Sequence, residues 1–225
     1  MSAGTILLLG LLLGMRHALD ADHLAAVATL VTRSRSVGHT VLQGVAWGAG
    51  HTLTLLLFGG AVLVLGLVLP ERAAPALEFA VGVMLVGLGT DVLYRLGRRR
   101  VRFSVHCHAD GNAPVHTHSH PARREHGFPL RALLVGMVHG MAGSAALILF
   151  SLEALRSPAW GIAYIALFGL GSIVGMAALS AVIALPLRLS SRRLNRVQGG
   201  VTAMVGVGTV LLGCYVVYQA GGAMA

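Results

Sequence analysis

Five ionisable residues interrupt the first apolar segment of the chain, between Leu13 and Leu24. They are Arg16, His17, Asp20, Asp22 and His23. A charge near the centre of a bilayer costs about 2.5 kcal/mol or more, so such residues normally face a protein interior or water and mark a functional pathway. Histidine and carboxylate side chains together are a ligand set for divalent metals. The segment predicts a metal-ion site inside a membrane, with an internal ion-pair network as the alternative.

A regular helix would place only part of this group on one face. His17, Asp20 and His23 fall within an arc of about 120°, whereas Asp22 lies roughly 140° around the helix from His17. Asp22 therefore either has a second role, such as orienting a ligand or pairing with Arg16, or the helix is interrupted here.

Composition assigns the chain to the integral membrane proteins. Of its 225 residues 56% are hydrophobic and only 11% are charged, and its mean hydropathy is +0.78. Soluble domains carry about 25% charged residues. The net charge of +9 comes from arginine alone and is better explained by membrane topology than by nucleic-acid binding. Cys107 and Cys214 do not suggest a disulfide framework.

Hydropathy predicts an all-α fold of about six transmembrane helices, each near the roughly 20 residues needed to cross a bilayer. The expected spans are 4–31, 38–69, 76–95, 130–152, 158–188 and 197–218. Loops 1–2, 3–4 and 5–6 hold 14 arginines and the opposite side holds two, Arg72 and Arg156. Because positive loops stay in the cytoplasm, both termini are expected outside it, in a multi-pass protein of the cytoplasmic membrane.

Three short motifs recur in order along the chain, which predicts an internal repeat. Gly14-Met-Arg-His17 matches Gly136-Met-Val-His139, an offset of 122 residues. Two glycine motifs recur at similar offsets, 48–50 with 169–171 and 87–90 with 206–209. A repeat of three spans must be inserted upside down the second time. We therefore expect two inverted three-helix repeats, residues 1–95 and 130–225, with a substrate site between them near mid-membrane.

Two further histidines are expected to join the first group at this interface. His51 and His17 both lie about 20 Å from the cytoplasmic ends of their spans, and His139 occupies the position equivalent to His17. The predicted metal ligands are thus His17, Asp20, Asp22, His23, His51 and His139. Asp91, near the cytoplasmic end of the third span, is a candidate gate or relay, and pairing with Arg95 is the alternative.

The loop between the halves, residues 96–129, has a composition associated with metal binding. Its candidate ligands are His106, Cys107, His108, His116, His118, His120 and His126. Their spacing is not that of a structural zinc module. We expect a cytoplasmic loop that captures or senses transition metal, with an incidental polar linker as the alternative.

The motif Arg16-His-Ala-Leu-Asp-Ala-Asp-His23 and the Gly50-His-Thr52 element resemble the nickel/cobalt transporter family, within the broader NicO group. The signature His-x4-Asp-His stands here as His17, Asp22 and His23. The resemblance implies transport of Ni²⁺ or Co²⁺, as substrate rather than cofactor, across the bacterial cytoplasmic membrane. Typical members have eight helices with the signature in the second. The second half here carries Gly136-Met-Val-His-Gly140 instead of the family's Asp-Thr element, as in a short branch found near urease genes.

Uptake is the expected direction, because the Asp20/Asp22 pair is similar to the family's uptake branch. Efflux is the alternative, since the group's efflux members carry histidine-rich loops. A cytoplasmic metal-accepting protein is a candidate partner. A membrane acyltransferase is the alternative from another class, because His17-x4-Asp22 also matches a His-x4-Asp general-base pattern. The chain has no lysine and hence no ATP-binding Walker loop, and we expect no enzymatic activity.

Overall fold

The computed structural model describes residues 3–32, 36–65, 73–100, 129–141, 158–189 and 195–224. Their secondary structure is helical. In chain order the helices are α1 (Ala3–His17), α2 (Ala21–Val31), α3 (Val37–Leu65), α4 (Ala73–Arg100), α5 (Leu130–Met141), α6 (Pro158–Leu189) and α7 (Asn195–Met224).

Four of these helices, α3, α4, α6 and α7, are long and apolar enough to cross a membrane. α1 and α2 make a fifth span if the bent pair is counted as one. The all-helical membrane fold predicted from composition is confirmed. The start of the expected span 130–152 is α5, and the rest of that span lies outside the described residues. So do the candidate ligands of the histidine-rich loop, 106–126.

The expected first span, 4–31, is a broken helix rather than a continuous one. α1 and α2 meet at an angle of 56°. Between them the Leu19 amide donates to the Arg16 carbonyl at 2.8 Å and the Asp20 amide donates to the His17 carbonyl at 3.0 Å, which are the i→i−3 bonds of a tightened last turn. Asp20 itself is extended, with φ −62° and ψ 149°, and the Leu24 amide then donates to its carbonyl to start α2. The interrupted helix, one of the alternatives for Asp22, is observed.

α2 lies inside the bundle, in contact with α3, α4, α6 and α7. Its buried side chains recur at helical spacing and include His23, Ala26, Val27 and Leu30. The apolar ones among them belong to a core cluster with Trp47 of α3, together with Leu85 of α4 and Met176 of α6. α2 is thus buried on one face by four longer helices.

The long helices pair as α3 with α6 and α4 with α7, while the short helices α1 and α5 pack on α6 and α3 respectively. Glycine permits the closest of these approaches. A Cβ at Gly14 would collide with the carbonyl oxygen of Phe168, and one at Gly136 would collide with the carbonyl oxygen of Trp47. Small residues at such crossings are typical of helix packing in lipid, where backbones must approach closely.

The outer surface of the bundle carries large apolar side chains. On α3 they include Leu57 and Phe58, and on α7 Met204, Leu211 and Tyr218, each about half exposed or more. An apolar surface of this extent is unusual for a water-soluble monomer and fits contact with lipid.

Candidate metal centre

His17 ends α1 and is oriented by Asp20, three residues later in the turn. Its Nδ1 lies 2.7 Å from Asp20 Oδ2. An ionised carboxylate can only accept, so Nδ1 carries the proton and the lone pair of the ring is on Nε2. That Nε2 is buried and has no hydrogen-bond partner in the described part of the chain. The Asp20 side chain is 54% exposed, so this edge of the site faces outward.

Asp22 bonds two histidines from different halves of the chain. Its Oδ1 lies 3.0 Å from His23 Nδ1, and its Oδ2 lies 3.1 Å from His139 Nε2. The two histidine nitrogens are themselves 3.2 Å apart. His23 and His139 are 1% and 2% exposed, so helices α2 and α5 meet here through polar side chains in a buried setting.

His51, from the middle of α3, completes a group of three imidazoles. Its ring centroid is 5.3 Å from those of His17 and His23, which are 4.3 Å from each other. One ligand atom from each of the three residues lies within 4.8 Å of the others. His51 is fully buried, and neither of its nitrogens has a partner among the described residues.

Unpaired buried nitrogens are expensive. Each costs about 1–3 kcal/mol, because the group gives up water without gaining a protein partner. Here Nε2 of His17, Nε2 of His23 and both nitrogens of His51 are in that position. A cation bound between the three rings would satisfy their lone pairs, and neutral imidazole is the commonest metal ligand in proteins.

The carboxylates lie behind the imidazoles of this group. Asp20 accepts from His17, and Asp22 can accept from His23, in the arrangement by which outer carboxylates fix the tautomer of a metal-binding histidine. The sequence predicted both as direct ligands. Asp22 also belongs to a second possible ligand group, with His23 and His139.

Aromatic side chains line the site, and the sequence did not predict their presence there. Trp47 stacks on His23 at 5.8 Å with the rings 7° from parallel, and its edge faces His139 at 5.7 Å. Phe168 of α6 lies 5.3 Å from His17. A signal for Trp47 was present, since it precedes His51 by four residues and therefore shares its helix face.

Asp91 forms ion pairs at the surface of α4. Its Oδ1 accepts from Arg95 Nε at 3.1 Å, and its Oδ2 lies 3.9 Å from Arg131 Nη2 on α5. The pairing with Arg95 that the sequence left open is therefore formed. The role of gate or relay stays a prediction.

The His17–Asp22 pair required by the acyltransferase alternative is not the one that forms. His17 bonds Asp20, whereas Asp22 contacts His23 and His139. What the arrangement can do is bind a small cation among imidazoles, in a bundle of membrane-length helices.

Residues 4–208 match the family model described as the cytochrome c biogenesis protein transmembrane region. The chain belongs to this family. It is also similar to the urease accessory protein UreH of Bacillus sp. (strain TB-90), with 34% identity over 218 residues, which cover 96% of this chain and 92% of the relative. The similarity to UreH therefore extends over nearly the whole of both proteins.

Two chloroplast proteins of Arabidopsis thaliana are more distant relatives. FOR GROWTH AND FERTILITY 1 is 30% identical over 182 residues, and FOR GROWTH AND FERTILITY 2 is 28% identical over 173 residues. The matched regions cover 48% and 44% of these proteins, so the chain spans about half their length. No solved structure matches the chain.

Proposed function

We propose that the protein carries Ni²⁺ or Co²⁺ across the bacterial cytoplasmic membrane, in the direction of uptake. One observation carries the proposal: His17, His23 and His51 converge with unpaired, buried ring nitrogens inside a bundle of membrane-length helices. Imidazole suits nickel and the neighbouring first-row metals, whereas Mg²⁺ and Ca²⁺ prefer oxygen ligands.

The similarity to UreH supports nickel as the cargo. That relative is named a urease accessory protein. Urease is one of the enzymes supplied by the nickel/cobalt transporters that the His17–His23 signature resembles. One line of support rests on a local motif and the other on similarity across the chain.

The packing of the short helices supports the proposed inverted repeats. Gly14 of α1 approaches the Phe168 carbonyl of α6, and Gly136 of α5 approaches the Trp47 carbonyl of α3. Gly14 precedes Gly136 by 122 residues and Trp47 precedes Phe168 by 121, the offsets that relate the sequence motifs. α1 of the first half thus packs on α6 of the second half, and α5 of the second half packs on α3 of the first half.

A second pair of contacts follows the same exchange. Gly171 approaches the carbonyl of Leu11, and Gly50 approaches the carbonyl of Leu133. These residues are again related by offsets of 121 and 122. Reciprocal contacts of this kind are expected where two repeats are related by a pseudo-two-fold axis, and they support a cargo site at the interface between the repeats.

Uptake is supported by charge. The proposed topology places the termini outside and the arginine-rich loops in the cytoplasm. An inside-negative potential then favours entry by about 2.3 kcal/mol per elementary charge per 100 mV. The histidine-rich loop would receive the ion in the cytoplasm and pass it to a metal-accepting protein. In this scheme the chain catalyses no reaction and needs no resident cofactor.

Metal accumulation in cells that express the protein tests the proposal. Expression should raise the cellular content of ⁶³Ni²⁺ or ⁵⁷Co²⁺, and His51→Ala should return it to the level of the empty vector. His39→Ala is the matched control, since His39 lies three turns away at the start of α3. Accumulation that does not respond to expression would refute transport. Lowered accumulation and raised metal tolerance would show export instead.

The family description raises thiol chemistry as a second candidate, since haem attachment to c-type cytochromes uses paired cysteine thiols. A reductant relay through the membrane needs two thiols that can meet. This chain has two cysteines, of which Cys107 lies outside the described residues and Cys214 is exposed on α7. The double variant Cys107→Ser with Cys214→Ser separates the two candidates, because it has no thiol and could not relay reductant. Metal accumulation equal to that of the unmodified protein would support transport that does not depend on thiols.

A further inference from the structure

His23 is shared by two groups of potential ligands. One group consists of His17, His23 and His51, and the other of Asp22, His23 and His139, and in each the three ligand atoms lie within 4.8 Å of one another. We propose that these are two adjoining, mutually exclusive positions for one metal ion, which passes between them by exchanging one nitrogen of His23 for the other. We name them the imidazole position and the carboxylate position. The inference rests on the proposed function and adds an order of events to it.

The carboxylate position already has the dimensions of a metal site. Asp22 Oδ1 lies 3.0 Å from His23 Nδ1, Asp22 Oδ2 lies 3.1 Å from His139 Nε2, and the two nitrogens are 3.2 Å apart, so the carboxylate offers a different oxygen beside each histidine. Ligands about 2.0–2.1 Å from one ion lie about 2.9–3.4 Å apart at octahedral or tetrahedral angles. An ion can therefore be bound here with little rearrangement. With no ion bound, the contact between His23 Nδ1 and His139 Nε2 is unfavourable. Each nitrogen donates its proton to Asp22, so neither can accept a hydrogen bond from the other.

The two positions differ in charge and in access to water. The carboxylate position includes Asp22, whose side chain is 34% exposed, so an ion there is partly neutralised and can keep water ligands. The imidazole position has three rings and no carboxylate ligand, and its His23 and His51 are at most 1% exposed, whereas the His17 side chain is 20% exposed. The first position suits capture of a hydrated ion, and the second suits an ion that keeps fewer of its water ligands.

The two positions exclude each other because a neutral imidazole has a single nitrogen lone pair. At the carboxylate position His23 must bind through Nδ1, the atom beside Asp22 and His139, and its proton is then on Nε2. At the imidazole position it must bind through Nε2, its unpaired nitrogen, and Nδ1–H then donates to Asp22. His23 can therefore serve only one ion at a time. Transfer of the ion also moves one proton of His23 from Nε2 to Nδ1, with the exchange taking place through Asp22, whose side chain is 34% exposed to solvent.

The test is the Co²⁺ stoichiometry of the full chain in lipid nanodiscs, measured by equilibrium dialysis and metal analysis. The parent for all variants has the loop histidines and Cys107 replaced by Gln and Ser, so that loop-bound Co²⁺ does not contribute. We expect one Co²⁺ per chain in this parent, in His51→Ala and in His139→Ala. Because the parent association constant is the sum over the two positions, the variant that keeps the stronger position should bind within about twofold of the parent, and the other variant should bind more weakly. X-ray absorption spectroscopy of the bound Co²⁺ should show three imidazole ligands in His139→Ala and two in His51→Ala. His23→Ala should bind none.

Two ions per parent chain would overturn mutual exclusion. Loss of binding in either His51→Ala or His139→Ala would overturn the existence of two positions and leave one joint site. Where an alanine variant does not fold, by gel filtration and circular dichroism, His139→Gln or His51→Gln replaces it. A folded parent that binds no Co²⁺ refutes the proposed function itself, whereas the outcomes above refute only the two positions.

Discussion

His139 Nε2 lies 3.2 Å from His23 Nδ1, although 116 residues separate the two in the chain. The contact joins α5 to α2 and brings a residue from each half of the protein to one point. Asp22 lies against both histidines and is reached only because the helix breaks before α2 begins. The candidate site thus depends on the interruption between His17 and Ala21 as much as on the ligand residues.

Trp47 should report metal binding by its fluorescence. Its ring is 5.8 Å from His23 and 5.7 Å from His139, close enough for bound Ni²⁺ or Co²⁺ to quench it. The chain has two tryptophans, so Trp160→Phe leaves Trp47 as the only one. We expect saturable loss of emission on adding Ni²⁺ to this variant in detergent. The opposite variant, Trp47→Phe, should keep most of its emission, and equal quenching in both would contradict the placement.

Asp20→Asn should weaken metal binding without unfolding the protein. Asp20 holds the ring of His17 through a 2.7 Å contact, and loss of such an outer partner costs about 10–100-fold in metal affinity. Isothermal titration with Co²⁺ measures the change. Glu78→Gln, which removes the same charge from an exposed position on α4, is the control and should bind as the parent does. Unchanged affinity in Asp20→Asn would show that Asp20 does not position His17 for metal binding.

Gly50→Ala should lower the stability of the bundle. A Cβ at this position would collide with the Leu133 carbonyl oxygen and lie 3.1 Å from the Met137 amide nitrogen, both backbone atoms that cannot move aside. Overpacking of this kind costs about 1–3 kcal/mol. Gly60→Ala on the same helix is the control, because no atom lies within 4 Å of its added Cβ. Thermal unfolding in detergent should separate the two variants, and identical melting would argue against the α3–α5 contact.

Reporter fusions test the predicted topology. Alkaline phosphatase, which is active only outside the cytoplasm, should be active when fused after Ala225 and inactive when inserted in the loop after Arg100. Green fluorescent protein at the same positions should give the opposite pattern. The reason is the excess of arginine in the loops assigned to the cytoplasm. Activity of both phosphatase fusions, or of neither, would exclude the predicted orientation.

The sequence predicted the helical membrane fold and the meeting of distant histidines better than the details of the site. His17, His23, His51 and His139 were identified because imidazoles at mid-span are costly and because depth can be counted along a helix. The partners of Asp20 and Asp22 could not be predicted in this way. They depend on a turn of three residues, and a small change in its backbone angles moves each carboxylate by several ångströms.

The hydrophobic periodicity of the sequence could not predict the angle of 56° between α1 and α2 either. The motif from Ala18 to Asp20 contains neither glycine nor proline, the usual signals of a break. Tertiary contacts accompany the interruption: Ala18 is fully buried, and one face of α2 packs against four longer helices. Local helix preference alone therefore does not determine the backbone at this point.

The close approach of α1 to α6 has a consequence for how the protein is made. α1 is synthesised well before α6, yet Phe168 and Gly171 of α6 cover Gly14 and Leu11. Until α5 and α6 have been made, Asp22 lacks its contact with His139 and His17 lacks its contact with Phe168. The first helix can therefore reach its final packing only after α6 has joined the bundle.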